Sequence, residues 1–450
     1  MKVAIIGGAA SGMGVAAKLL RTSKDAQITV YQNHDYISLG ACGLPYFISN
    51  NFDDENNMIA RTPEFFQKNG VEMRINTLVV DIDFENKIIK YVDDHGEHMD
   101  VYDDLVIATG AKPIVPNEYN FDNIKNLFTL TSLEDGRALK TFVNDPNINH
   151  VLVIGAGFIG LEVVENLKSL QKEVTLIEMQ DHIMGRQFET EYATAIKDIL
   201  LEHDVKLQMG VKVDAVQMEN GLAHSVTLSN GKNLAVDAII LCIGFRPNTS
   251  FLNGKLNMLP NGAIIVDEMG QTNIPHVYAL GDCASSKNVI THDDEYVPLA
   301  TVAAKFAKVV AENIAGLKRR FYGSLKTAII RVFENGFART GLTENDAKLK
   351  GMTVQVVTIE DYDHTNYVAG QQKLKLTIIY DVKNGVIVGA QMMGHRNAVL
   401  RIHSLITLIW NKVKITEYVE QMDLPYSPPF SKTNDIILIA LSKIAIREEK

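Results

Sequence analysis

The stretch 150-HVLVIGAGFIGLEVVENL-167 decides how this chain folds. Residues 151-VLVI-154 are an unbroken apolar run, the pattern of a parallel strand buried on both faces. Gly155-Ala156-Gly157-Phe158-Ile159-Gly160 follows as G-x-G-x-x-G, and a helical pattern begins at once. A second apolar run, 173-EVTLIE-178, ends on Glu178, an acidic residue where a dinucleotide fold needs one about 20 residues on. The glycines let the backbone approach a pyrophosphate at a helix N-terminus. Glu178 suits both ribose hydroxyls of NAD and repels a 2′-phosphate. Residues 179–183 contain no Lys or Arg to hold that phosphate, so NADH is favoured over NADPH. A domain of this type without a nucleotide would show the same glycines, but pattern, context and acidic terminus agree on a nucleotide.

The same design occurs, with defects, at the N-terminus. The run 2-KVAIIG-7 leads through Gly7, Gly8, Ala9, Ala10, Ser11 and Gly12 into a helical pattern over 13–22, and 27-QITVYQ-32 completes a βαβ unit. The middle glycine is replaced by Ala9. The acidic residue is replaced by Gln32, which can still bond a ribose hydroxyl without charge assistance. An ordinary tight βα turn remains the alternative for this motif alone. The segment 104-DLVIATGAKPIVP-116 is a strand running into Thr109 and Gly110, with Pro113 and Pro116 marking an edge. Two dinucleotide folds in one chain suggest electron transfer between a diffusible nicotinamide and a tightly held flavin.

A candidate for the far end of that transfer is Cys42, in 36-YISLGACGLPYFI-48. It stands between glycines, just before a helix-like run, where backbone N–H groups favour thiolate over thiol. A small buried core residue would read the same way. Cys242 lies inside the apolar strand of 237-DAIILCIGFRPNT-249 and reads as core. That stretch continues through Gly244 into a Gly-x-Arg-Pro loop. In 276-HVYALGDCASS-286, an apolar strand ends in Gly281 and Asp282, whose carboxylate suits a sugar-like hydroxyl; Cys283 ranks below Cys42. The helix 299-LATVAAKFAKVVAENIAG-316 is apolar on one face. From residue 323 the pattern changes to strands over 327–333, 353–360, 373–381 and 386–394, then helices over 397–412 and 433–444. This antiparallel sheet with helices reads as a dimerisation domain or a third core.

Composition narrows the class. The chain has 450 residues, long enough for about two to four domains, and is 46% hydrophobic and 22% charged. Its net charge of −10, with both signs interspersed, offers no basic face to nucleic acid. The longest apolar runs are too short to span a bilayer, and MKVAIIGGAASG runs into a glycine turn without the features of a leader. Three widely spaced cysteines make neither a disulfide framework nor a metal site, and they fit a cytoplasmic protein.

Together the two glycine turns, 107-IATG-110, 244-GFRPN-248, 280-LGDCA-284 and the C-terminal region resemble the pyridine nucleotide–disulfide oxidoreductase superfamily, in its single-cysteine branch. The resemblance covers essentially the whole chain. It implies an α/β fold with two Rossmann-like domains, the NAD domain inserted in the FAD domain, and a C-terminal α+β dimerisation domain. The implied boundaries are 1–118 and 249–322 for FAD, 119–248 for NAD(P)H and 323–450 for the dimer. FAD would be held by Gly7, Gly8, Ala10, Gly12, Gln32, Val79 near the adenine, Thr109, Gly110, Gly281, Asp282 on the ribitol, and Ala300 at the start of the 299–316 helix. NADH would be held by Gly155, Gly157, Ile159, Gly160, Glu178 and Gly244.

The branch most resembled is coenzyme A-disulfide reductase. Glutathione and lipoamide reductases carry C-x-x-x-x-C, but here Phe47 stands five residues after Cys42. Oxidases and peroxidases of the branch carry a histidine in the first turn, where this chain has Ala10. The disulfide reductases use two tyrosines from the partner subunit, matched here by Tyr367 in 364-HTNYVAG-370 and Tyr426 in 424-LPYSPPFS-431. The implied chemistry is NADH-driven, FAD-dependent reduction of a Cys42–CoA mixed disulfide in a homodimer, with Tyr426 and Tyr367 assisting the departing thiolate. Ser38, Arg21 and Arg61 are substrate-binding candidates. Departures from the pattern are Ala41 for Asn before the cysteine, Gln32, and Ala304, Ala307 and Lys308 for Asn, Gly and Arg. An NADH oxidase acting through a Cys42 sulfenic acid is the nearest rival, and a flavoprotein redox sensor is a rival of another class.

Overall fold

The computed structural model describes residues 1–116, 124–185 and 187–448. The expected boundary at 118–119 falls outside them. Two compact units emerge. One comprises Met1–Ile148, Ile243–Asn288 and His292–Ser324; the other comprises Asn149–Cys242, Val289–Thr291 and Leu325–Lys450.

The first unit is built on a parallel sheet. Its strands run in the order Val277–Ala279, Asp104–Ile107, Lys2–Ile6, Gln27–Tyr31, Val71–Arg74. The apolar runs are buried throughout: Ile5, Leu105, Val106 and Ile107 are each fully inside. Each such side chain contributes about 1.5–3 kcal/mol on leaving water. The first helix, Ala10–Thr22, lies against helix Ala300–Ile314, and a Cβ on Gly14 would stand only 3.0 Å from that of Ala307. A three-stranded antiparallel meander, Leu78–Asp83, Ile88–Asp93 and Gly96–Val101, completes this unit's larger sheets among the described residues.

In the second unit, parallel strands lie in the order Lys206–Met209, Glu173–Glu178, His150–Ile154, Ala238–Leu241. The region beyond residue 325 forms an antiparallel sheet in the order Ala328–Val332, Asn335–Gly341, Val386–His395, Lys373–Asp381, Val354–Tyr362. Helices Ile402–Trp410 and Ile436–Glu448 cover it. Their buried positions, Ile402, Leu405 and Ile409 on one and Ile437, Leu441 and Ile444 on the other, recur at helical spacing. The fold is therefore α/β with two Rossmann-like sheets and a C-terminal antiparallel sheet domain. Among the described residues no helix is long and apolar enough to cross a membrane.

Several elements differ in extent from the sequence reading. The helical pattern over 397–412 opens as a 3-10 turn, Arg396–Arg401, before Ile402–Trp410. The pattern over 433–444 starts at Ile436, where Asp435 accepts from Ile437 N at 3.0 Å, as a helix-start residue does. The run after Cys42 is a helix of only five residues, Leu44–Ile48. Phe245–Pro247, read as loop, pairs antiparallel with Ala111–Pro113.

Candidate active site

The two glycine turns share one construction. Gly7 has φ +108 and Gly155 φ +104, a backbone that side chains resist. A Cβ on Gly12 would stand 1.9 Å from Gly7 O, and one on Gly160 would stand 1.9 Å from Gly155 O. The third glycine of each motif is therefore demanded by contact with the first. The middle position is different: Ala9 has φ −77 and Gly157 φ −87. Alanine fits there without strain, so Ala9 does not damage the first turn. A Cβ on Gly157 would meet nothing within 4 Å, leaving open space where a phosphate group can approach.

The strand-end residues also correspond. Glu178 accepts from Ala156 N at 2.9 Å through one oxygen and from Gln180 N at 2.9 Å through the other. Gln32 accepts from Gly8 N at 2.9 Å, and its amide nitrogen donates to Tyr36 O at 3.1 Å. Gln32 is buried, and its amide is engaged at both ends by the protein rather than extended outward.

The residues around the first turn fit a flavin dinucleotide. Asp282 is half-buried, and burial pushes its carboxyl above the usual range. No hydrogen bond to that carboxyl is found among the described residues, which suits a polyhydroxyl ligand. Gly281, at φ +78, presses on the first helix: a Cβ there would stand 2.4 Å from Ser11 Oγ. Thr109 precedes Gly110 (φ +67), beyond which a Cβ would meet only open space. Ala10 and Ala300 each open a helix and are exposed. Val79 is buried in the core, so only its backbone is available to a ligand. In the other unit Ile159 is the second residue of helix Phe158–Ser169. Gly244, in the first unit and at φ +107, is exposed and accepts from Ile114 N at 3.0 Å.

Cys42 is exposed, whereas Cys242 and Cys283 are not. It sits in the 3-10 turn Ala41–Gly43 just ahead of the short helix. Its loop is stitched down on both sides. Ser38, at φ +55, donates its N–H to Gly8 O at 2.8 Å and accepts from Ala60 N at 3.1 Å, while Gly40 N donates to Met58 O at 2.8 Å. A Cβ on Gly43 would stand 2.9 Å from Met58 Cγ, so the chain is tight beside the thiol. Phe47 is buried, with the Lys140 ammonium 4.2 Å from its ring centre. Burial pushes the Cys242 thiol up to about 12. Cys283 Sγ donates to Ile107 O at 3.3 Å and Leu280 O at 3.2 Å.

In the second unit the hydroxyls of Tyr367 and Tyr426 lie 2.9 Å apart, and both rings are exposed. Arg21 is exposed and lines a cleft of about 560 Å³ with Ala10, Gly14, Lys18, Thr22, Ala304, Ala307 and Lys308. Three of the departures noted in the sequence, Ala304, Ala307 and Lys308, thus share one surface with Ala10. Lys18 there pairs with Glu312 at 2.8 Å. Arg61 is not among the cleft residues; its guanidinium lies over the Phe65 ring at 5.0 Å. Ser38 is buried.

Sequence reasoning did not single out Lys18, although it falls three residues before Arg21 and so on one helix face. It also passed over Glu162, whose carboxyl is pushed up to about 7 by burial and by the charge of Glu165, against the pull of Arg331.

Comparison with known proteins agrees with this architecture. Residues 1–307 match the family described as pyridine nucleotide-disulphide oxidoreductase, and residues 327–435 match its dimerisation domain. An NADH oxidase of Methanocaldococcus jannaschii is 29% identical over 442 residues, 98% of each chain. A coenzyme A disulfide reductase of Staphylococcus aureus is 30% identical over 441 residues, 97% of this chain and 98% of that one. The solved structure of an NAD-dependent persulfide reductase from A. fulgidus is similar with a TM-score of 0.95 at 31% identity, covering 100% of this chain and 84% of that one.

Proposed function

We propose that this chain, which belongs to the pyridine nucleotide-disulphide oxidoreductase family, reduces coenzyme A disulfide or a related low-molecular-weight disulfide or persulfide with NADH. At the coarser level it is an NAD(P)H-dependent flavoprotein oxidoreductase, for which the family implies FAD and NAD(P)H. The observation that carries the finer reading is the distribution of sulfur. Cys42 is the one exposed cysteine of the three, and a packed Phe47 fills the position of a resolving thiol. The second sulfur must then come from the substrate.

In this reading the Cys42 thiolate attacks one sulfur of the CoA disulfide. A Cys42–S–S–CoA bond forms, the original S–S bond breaks, and one CoA thiolate leaves. FAD, when bound, would supply the electron pair, with NADH as its source. Two electrons and one proton then divide the mixed disulfide into the Cys42 thiolate and a second CoA thiol. Tyr426 and Tyr367, contributed by the second subunit of a homodimer, give the departing thiolate its proton or stabilise its charge. Arg21, with Lys18 and Lys308 beside it, pairs with the substrate's phosphates, and Ser38 and Arg61 contact its remainder. Gly7, Gly8, Gly12, Thr109, Gly110, Gly281 and Asp282 hold FAD, while Gln32, its amide engaged by Gly8 and Tyr36, braces the turn from behind. Gly155, Gly157, Gly160 and Glu178 hold NADH, and the absence of Lys and Arg over 179–183 favours it over NADPH.

A second reading is NADH oxidation by oxygen, favoured by the likeness to the M. jannaschii oxidase. Ala10 argues against it, because a methyl group cannot move protons at a sulfenic acid. Anaerobic NADH consumption with CoA disulfide, set against aerobic consumption without it, decides between them. The reductase reading expects fast anaerobic turnover and an as-isolated mass increased by one CoA on Cys42, lost on reduction. Fast aerobic turnover with negligible anaerobic activity overturns it.

A further inference from the structure

We propose that Gln32 is a positioning residue that fastens the loop carrying Cys42 to the glycine turn of the FAD site, and that its amide cannot be replaced by a carboxylate. The inference goes beyond the choice of disulfide substrate, because it concerns the turn and the loop alone.

Gly8 is the shared point. Its N–H donates to Gln32 Oε1 at 2.9 Å, and its carbonyl accepts from Ser38 N at 2.8 Å. Gln32 Nε2 donates to Tyr36 O at 3.1 Å. One side chain therefore grips the glycine turn with its oxygen and the thiol loop with its nitrogen. Ser38 then turns the chain through a left-handed residue toward Gly40 and Cys42. The backbone of Gln32 is itself fixed: its N–H donates to Arg74 O at 2.8 Å, and its carbonyl accepts from Thr77 N at 2.8 Å. The packing against Gly8 is close. A Cβ on Gly8 would already stand 2.9 Å from Ile37 Cγ2 and 3.1 Å from Gln32 Cβ.

The requirement for an amide follows from what the two polar atoms face. At the equivalent place in the second turn, Glu178 faces two N–H donors, Ala156 and Gln180, so both its atoms must accept. Gln32 faces one donor, Gly8 N–H, and one acceptor, the Tyr36 carbonyl. Only a group that accepts on one side and donates on the other satisfies both. A carboxylate at position 32 would set an oxygen against the Tyr36 oxygen, whereas a protonated acid would restore the pattern. The departure from an acidic residue is thus matched by the loop it meets.

The test uses Gln32→Glu and Gln32→Met in the FAD-loaded protein. FAD retention is read as flavin fluorescence on dilution at about pH 5 and about pH 8.5, on either side of the titration of a buried glutamate. The neighbouring ionisable groups are Tyr36, whose hydroxyl donates to Glu134, and His34, stacked on Tyr36. Arg74 lies behind, bonded to Glu72 and Asp100. Their own effects on FAD retention are common to wild type and variants and cancel when variant is divided by wild type. For Gln32→Glu this ratio is expected to fall about tenfold or more from the lower pH to the higher, the penalty of a buried carbonyl left without a donor. For Gln32→Met the ratio is low at both. The rate of Cys42 alkylation, taken as the same ratio in FAD-loaded protein, should depart from one wherever FAD is loosened. Gln32→Glu that holds FAD like wild type at the higher pH, or weakly but equally at both, overturns the requirement for an amide. Alkylation ratios that stay at one while FAD is lost overturn the tie to the thiol loop. If Gln32→Glu does not fold, Gln32→Met with wild-type FAD retention and alkylation overturns the proposal by itself.

Discussion

Tyr367 and Tyr426, fifty-nine residues apart in sequence, share a hydroxyl–hydroxyl hydrogen bond of 2.9 Å. The bond has an electrostatic consequence. The Tyr426 phenol is raised above the ordinary tyrosine range, first by its bond to Tyr367. The phenol is thus held protonated through neutral pH and, as a weaker acid, serves the proposed reaction as a hydrogen-bond donor that stabilises the leaving thiolate. Tyr426→Phe is expected to lower kcat for disulfide reduction about a hundredfold. Tyr367→Phe should cost less, about tenfold, and return the Tyr426 phenol toward its ordinary value. Phenolate absorbance of Tyr367→Phe, less that of the double variant, reads this shift directly. An unchanged titration of Tyr426 would remove the pairing as its cause.

The two segments that carry the pair are tied together by Arg401. Arg401 donates from Nη2 to Asp363 O at 2.7 Å and to Phe430 O at 2.6 Å, and pairs through Nε with Asp435 at 2.9 Å. Those carbonyls belong to the two segments that carry the tyrosines. Thr365 joins the segments again, its hydroxyl donating to Pro428 O at 3.0 Å. Lysine keeps the charge but not the planar fork. Arg401→Lys should therefore cost about 1–3 kcal/mol in chemical unfolding and shift the Tyr426 phenol as Tyr367→Phe does. Lost stability without that shift would make Arg401 a structural residue only.

The two Rossmann turns were legible because their demands are local. Gly7, Gly12, Gly155 and Gly160 stand where a Cβ meets a backbone oxygen or φ is positive, and such needs appear as glycines at fixed spacing. The strands were legible for a similar reason, since burial on both faces leaves continuous apolar runs. Gln32 was not. Its residue type looked like a defect until the Tyr36 carbonyl was seen beside it, a contact that spacing does not encode. The cleft around Arg21 was half legible. Lys18 shares its helix face, but Lys308 arrives from a helix nearly three hundred positions later. Glu162 carried no signal, because its raised carboxyl comes from burial and from Glu165 and Arg331 in the folded chain.

Glu162 gives the protein a pH-dependent cost. Its folded-state carboxyl titrates near 7 against an ordinary 4.5, so the folded state binds the extra proton between these values. Stability from this group therefore falls as pH rises from 4.5 toward 7, the reverse of a salt-bridged carboxylate. Glu162→Gln removes the penalty while keeping the shape. It is expected to stabilise the protein by roughly 1–3 kcal/mol above neutrality and little at acidic pH. Thermal unfolding of wild type and variant across that range checks it. A variant that gains equally at all pH values would point to packing instead.

Cys42 separates the two halves of the proposed reaction. With Cys42→Ser no mixed disulfide can form, so disulfide reduction should fall about a thousandfold or more. The glycine turns and the strand-end residues are untouched, so FAD should stay bound and bleach with NADH at close to the wild-type rate. Stopped-flow flavin absorbance and steady-state assays distinguish these steps. Disulfide turnover that survives the substitution would remove Cys42 from the chemistry.

The cleft predicts a discrimination that overall activity would hide. Arg21 and Lys308 are exposed there, and Lys18, though paired with Glu312, adds to the same positive field. In the proposed reaction their attraction would act on the substrate's phosphates and leave the reacting sulfur alone. Arg21→Glu with Lys308→Glu should therefore raise KM for CoA disulfide about tenfold or more and leave kcat within about twofold, since the binding lost is equal in ground and transition states. The wild-type KM should rise with salt, because exposed charges are screened beyond about 10 Å at 0.1 M, and that dependence should reverse in the double variant, whose glutamates repel the phosphates. A small uncharged disulfide has no phosphate to lose, and its KM should not change. Equal effects on both disulfides would mean that the substitutions disturb the first helix, whereas no effect on either would move the phosphates elsewhere and leave the cleft without a part in binding.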